Sequence, residues 1–117
     1  MVKMQSLTPR SGARSAYPPE RQVAVLCWRK ERGRTEVLLI TSRDTGRWIV
    51  PKGWPIKGLS DAQSALREAW EEAGVRVPAD KAHRVGQFFY DKGLADGSDI
   101  PIVAHLYKVR LRKDDLA

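Results

Sequence analysis

With one cysteine in 117 residues, Cys27, the chain cannot close an internal disulfide, and it cannot build a thiolate metal site. Cys27 sits in the apolar run Gln22 to Trp28 and reads as a buried, inert thiol. No apolar stretch approaches the roughly 18 residues of a membrane span, and the N-terminus lacks a secretory apolar segment. The expectation is a cytoplasmic protein without a membrane partner. Histidine is scarce: His83 and His105 stand in separate apolar segments without partners in sequence, which suits structural roles better than metal ligation. Acids are outnumbered, 14 Asp and Glu against 21 Lys and Arg, a formal charge of +7. That excess suits a polyanionic partner such as nucleic acid, nucleotide or polyphosphate, and equally well suits simple solubility.

The length fits one domain. Residues 1–20 mix Ser, Pro, Gly and basic residues and read as a basic arm or tag remnant, leaving 21–117 as the domain. Residues 22–28 and 36–41 read as strands on either side of a charged turn at Gly33. A loop around Gly46 feeds a short strand at 48–50, which Pro51 closes. "PKGWPIKG" (51–58), with two prolines and two glycines, is read as irregular. Ser60 can cap a helix and Gln63 completes a capping box; Ala62, Ala65, Leu66, Ala69 and Ala73 form its buried stripe, and Gly74 its left-handed end. Residues 83–90 and 100–111 read as a hairpin around the loop 91–99, with Pro101 at an edge or a strand start. Asp91, Asp96 and Asp99 are solvated turn acids that could also approach a metal. Trp48, beside a strand, is expected in the core; Trp54, in the loop, is a candidate stacking surface.

"REAWEEAG" (67–74) puts Glu68, Glu71 and Glu72 at the C-terminal end of that helix. The end of a helix carries partial negative charge, so an uncompensated acid there costs about 0.3–1 kcal/mol. At 100° per residue Glu71 lies about 60° from Glu68 on one side and Glu72 about 40° on the other, on an arc away from the alanines. Acids three and four apart repel, and Arg67, four before Glu71, relieves only part of this. A divalent cation such as Mg²⁺, which takes hard oxygen ligands and shares them with phosphate, would reverse the sign of each cost. A solvated acidic face is the alternative. Upstream, Lys52 and Lys57 can neutralise phosphate, and the backbone at Gly53 can offer a carbonyl to a metal.

Loop and helix together resemble a Nudix box, G-x5-E-x7-R-E-U-x-E-E-x-G-U, with U a bulky apolar residue. Read from Gly53, "GWPIKGLSDAQSALREAWEEAGV" puts Arg67, Glu68, Glu71, Glu72, Gly74 and Val75 in register. Leu59 stands at the pattern's first glutamate, and Ala69 at its apolar position. The missing glutamate bears on the number of ions held and on the orientation of Arg67, for which Glu71 is the substitute partner. The resemblance implies an α/β fold, an α/β/α sandwich on a mixed sheet. Against that pattern the C-terminal strand and helix would be missing after "RKDDLA", as in a truncated domain.

It further implies hydrolysis of a phosphoanhydride with Mg²⁺ or Mn²⁺ held by Glu68, Glu71, Glu72 and the Gly53 carbonyl. Glu68, the first choice as base, with Glu71 and Arg67 completes the expected catalytic set. "VLCWR", "EVLLITSR" and "RWIVPKG" look most like the diphosphoinositol polyphosphate and diadenosine polyphosphate hydrolase branch. There a Ser-Arg pair, here Ser42 and Arg43, contacts phosphate; with Lys52, Lys57 and Trp54 it forms the expected substrate-binding set. The alternatives are nucleoside triphosphate housecleaning, RNA 5′-pyrophosphohydrolysis, and a non-catalytic module that binds nucleotide or RNA.

Overall fold

The computed structural model describes residues 18–42 and 45–116; the arm expected over 1–20 falls largely outside them, and Arg43 falls outside as well. The first strand, β1 (Glu20–Glu31), holds Gln22, Val23, Ala24 and Val25 buried in succession. Such an unbroken buried run marks a strand covered on both faces. A turn at Arg32 and Gly33, both with positive φ, leads into β2 (Arg34–Val37), antiparallel to β1.

The single strand expected over 36–41 is broken in two. β3 (Ile40–Thr41) leaves β2 and pairs with β4 (Trp48–Ile49) in a separate two-stranded sheet. Trp48, expected in the core, is 64% exposed. Its strand is only two residues long and pairs with β3 alone, which among the described residues leaves most of the indole uncovered.

The stretch from Pro51 also departs from the irregular reading. Lys52 and Gly53 form a two-residue strand, β5, antiparallel to β1, with Val23 opposite Gly53 and Ala24 opposite Lys52. Pro51 needs no donor of its own here, since its carbonyl accepts from the Val25 amide at 3.0 Å.

The helix α1 (Asp61–Ala73) starts as its sequence indicates. The Ser60 hydroxyl accepts from the Gln63 amide at 3.1 Å, and the Gln63 side chain accepts from the Ser60 amide at 2.8 Å. It stops at Gly74, with φ 70°, whose N–H reaches back to the Ala69 and Trp70 carbonyls. Ala65, Leu66 and Ala69 pack on Val23, Val25 and Cys27, joined by Val75, Val109 and Leu111. Alternate β1 residues Gln22 and Ala24 therefore face the other side of the sheet.

β6 (His83–Gly93) and β7 (Asp99–Arg110) form the expected hairpin, but its loop is shorter than 91–99, because Asp91 to Gly93 and Asp99 belong to the strands. β7 lies between β6 and β1 and runs parallel to β1, giving a mixed sheet in the order β2-β1-β7-β6. Pro101 precedes Ile102, where pairing with β1 begins, so its missing N–H removes no bond from that ladder. The described residues contain one α-helix, on one face of this sheet; a helix layer on the other face is not represented among them.

Candidate functional site

Asp61, Glu68 and Glu72, at spacings of seven and four, fall within about 40° of one another around α1. Asp61, in the first turn, is paired with Arg21 of β1 and lies 3.7 Å from Nδ1 of His105 on β7. That tie fixes which side of the helix meets the sheet, and two turns further on the same side Glu68 arrives at Gly53. The approach is intimate: a Cβ built on Gly53 would lie 2.7 Å from Glu68 Oε2, and closer still to Oε1 and the carboxyl carbon. Glycine at 53 is thus a steric requirement of this carboxylate's position.

Glu68 is half-buried, while Glu71, Glu72 and Arg67 are exposed. Burial, a hydrogen bond with Glu72, and the charges of Glu72 and Glu71 together push the Glu68 carboxyl up to about 7. Like charges so close disfavour joint ionisation, so Glu68 keeps a proton more readily than an isolated carboxyl would. Arg67 forms no ion pair with Glu71 or any other acid among the described residues, contrary to the substitute pairing expected for it. Its side chain instead borders an open depression of about 340 Å³ lined by Leu59, Gln63, Leu66, Val77 and Ala79. Leu59 there offers a hydrocarbon surface where a carboxylate would have faced Arg67.

A cation that feels the charge of Glu72 comes from β5. Lys52 is half-buried; burial lowers its pKa, and the charge of Glu72 opposes that lowering. Its ammonium donates to the Tyr90 hydroxyl at 3.1 Å and lies 4.6 Å from the centre of the same ring. The Tyr90 hydroxyl in turn donates to Oε1 of Gln22, which is buried. Neither Tyr90 nor Gln22 stood out in the sequence; the one available signal was an amide inside the apolar start of β1.

Lys57 is exposed, Trp54 is 41% exposed in the same loop, and Ser42 accepts from the Gly46 amide in the turn before β4. Arg43 lies outside the described residues. Asp96 accepts from the amide and hydroxyl of Ser98, which makes it a turn acid. His105 faces Asp61 and the Arg21 and Arg84 side; its pKa is lowered by burial first and then by Arg84. Burial also pushes the Cys27 thiol up to about 11, in keeping with an inert core residue.

Among the described residues no three His, Cys, Asp or Glu side chains already stand as a metal-binding set. The chemistry of the donors nevertheless fits a hard divalent cation. Glu68 and Glu72 are neighbouring carboxylates whose mutual repulsion a cation would relieve, and residue 53 has no side chain to bar its backbone. No helix among the described residues is long and apolar enough to cross a membrane.

The family pattern described as NUDIX domain matches residues 20–115. Diphosphoinositol polyphosphate phosphohydrolase 3-alpha of Homo sapiens is 41% identical over 63 residues, covering 51% of this chain and 38% of that protein. Diphosphoinositol polyphosphate phosphohydrolase 2 of Homo sapiens is 33% identical over 76 residues, 65% of this chain and 41% of that one. The chain thus matches only about two fifths of the length of these curated relatives. Of solved structures, a C. elegans Ap4A hydrolase binary complex aligns at 26% identity and a TM-score of 0.56, over 84% of this chain and 71% of that one. A MutT/nudix family protein from Enterococcus faecalis aligns at 20% identity and 0.68, over 92% and 42%.

Proposed function

Because the chain belongs to the Nudix family, we propose that it is a pyrophosphohydrolase dependent on Mg²⁺ or Mn²⁺, cleaving a phosphoanhydride in a polyphosphorylated small molecule. The observation that carries this reading is the carboxyl of Glu68, pushed up to about 7 and seated against Gly53 beside Glu72. The substrate class is a diphosphoinositol polyphosphate, in keeping with the curated relatives, or a diadenosine polyphosphate, in keeping with the Ap4A hydrolase structure, and the +7 charge suits either. On this reading residues 21–117 act as one Nudix domain.

Glu68, Glu71 and Glu72, with the Gly53 carbonyl, would hold the cation. When bound, the cation would neutralise phosphate oxygens and acidify the attacking water. Glu68 takes the proton from that water as it attacks phosphorus, the P–O bond to the leaving phosphate breaks, and that phosphate departs with the electron pair. Lys52, Lys57, Ser42 and Arg43 neutralise or hydrogen-bond the remaining phosphates. Arg67, unpaired with any acid among the described residues, adds positive charge beside the glutamates, and Trp54 covers the non-phosphate moiety.

The test is turnover of diadenosine tetraphosphate, a diphosphoinositol pentakisphosphate, triphosphorylated RNA and nucleoside triphosphates, with and without Mg²⁺. The Glu71→Gln/Glu72→Gln double variant is the control. Turnover of a small-molecule substrate that needs metal and vanishes in the control is expected. No turnover above the control sinks the hydrolase reading.

A second reading rests on Leu59 and on the absence of a ready three-ligand set among the described residues. On it the fold is a binding module for nucleotide or RNA. Binding would then be independent of metal, would survive loss of Glu71 and Glu72, and would weaken steeply with salt.

A further inference from the structure

Gln22 is a buried amide in a central strand, next to Val23, Ala24 and Val25, which are fully buried. An amide without partners is costly in such a place, so its partner carries information. That partner is the hydroxyl of Tyr90, 68 residues away and on the far side of β7. Strands β6 and β1 are roughly 9–10 Å apart with β7 between them. The phenol therefore has to cross β7, and the β7 residue in register with Gln22 is Ala104, small and fully buried. Tyr90 does not end at Gln22. Having donated its proton to the amide, its oxygen presents lone pairs to Lys52, whose ammonium donates at 3.1 Å and also lies against the ring.

The consequence falls on Lys52, a long side chain that would otherwise lose considerable rotamer freedom on engaging a ligand. We infer that Tyr90 and Gln22 are positioning residues that hold the Lys52 ammonium, next in the chain to Gly53 but on the other side of the sheet from α1, as a preformed anchor for a phosphate chain. The inference rests on the hydrolase reading for its substrate and names how that site grips it. Gln22 fixes the direction of the Tyr90 hydroxyl, the hydroxyl and ring fix the ammonium, and a phosphate oxygen replaces none of these partners, since an ammonium has three protons to give. Preorganisation of this kind appears as affinity, because the ordering is complete before the ligand arrives.

The probe is inorganic tripolyphosphate, titrated calorimetrically into the full chain without divalent metal, so the result does not depend on turnover. Tyr90→Phe keeps the ring and removes the hydroxyl; affinity is expected to fall roughly tenfold, the scale of one hydrogen bond to a charged group. Lys52→Ala should lose at least as much, and Lys52→Ala/Tyr90→Phe no more than Lys52→Ala alone. Tyr90→Phe/Gln22→Leu, with both buried polar partners made apolar, is expected to recover melting temperature but not affinity.

Additive losses in the first double variant overturn the inference. So does affinity that returns together with melting temperature in the second, or a wild-type protein that binds no tripolyphosphate. Coupled losses in a protein that hydrolyses nothing would leave the anchor standing and remove the hydrolase reading.

Discussion

The Glu68 carboxylate fills the space in which a side chain at residue 53 would have to stand. The first prediction follows from that contact. In Gly53→Ala the added methyl meets the far end of a flexible side chain, so the fold yields by swinging Glu68 aside. Chemical denaturation is expected to register less than about 1 kcal/mol. Hydrolysis is expected to fall by tenfold or more, because a displaced carboxylate is out of line for the attacking water. A variant that keeps wild-type turnover would separate Glu68 from the chemistry.

The second prediction concerns pH in the metal-free protein. Glu68 keeps its proton up to about 7 in the folded chain, against an ordinary carboxylate at 4.5. Between those values the unfolded chain has released the proton and the folded chain has not. Stability therefore falls as pH rises through this window, and the loss is complete above it. With a chelator present, Glu68→Gln should abolish this part of the pH dependence and melt higher than wild type at pH 8. Added Mg²⁺ should stabilise wild type at pH 8 more than at pH 5, because at pH 5 the cation competes with the proton on Glu68 and at pH 8 that proton has left. Melting curves at the two pH values, with each protein and each additive, check both statements.

Ser60→Ala supplies the third. It removes the hydroxyl that accepts from the Gln63 amide, and with it half of the reciprocal cap on α1. The expected cost is about 1 kcal/mol by urea unfolding. Since this helix carries all three glutamates, faster amide exchange in its first turn is expected to accompany that loss.

Leu59→Glu is the fourth. Leu59 is only partly buried and borders the same depression as Arg67, which has no acidic partner among the described residues. A carboxylate there can pair with Arg67 near the surface, so stability should change by no more than ~1 kcal/mol. If the missing acid limits metal holding, Mn²⁺ titration should give tighter binding than wild type. Unchanged affinity would show that the site does not use this position.

What was legible in the sequence is what is local. The capping box at Ser60, the alanine stripe and the stop at Gly74 each depend on contacts a few residues apart, and each was readable. The carboxylate cluster and its upstream loop shared a fixed spacing, which is why the family resemblance rested on them.

Contacts set by the sheet were not readable. Gln22 meets Tyr90 only because β7 lies between their strands, parallel to β1 and antiparallel to β6, and no spacing encodes that. The apolar neighbours of Trp48 suggest a core strand, whereas its two-residue strand pairs with β3 alone. Prolines and glycines disguised Lys52 and Gly53 as irregular chain, since two residues carry too little pattern to declare a strand.

Those two residues also act as an index mark. Side chains alternate along a strand, so Gly53 belongs to the helix side with Val23, and Lys52 to the opposite side with Ala24. Inserting or deleting one residue between the Pro51 carbonyl's bond to Val25 and Gly53 would exchange them, bringing a lysine against Glu68 and a glycine against Tyr90. The count from Pro51 to Gly53 is therefore as constrained as the spacing from Gly53 to the glutamates, and both ends of the loop are held in register by the same carboxylate.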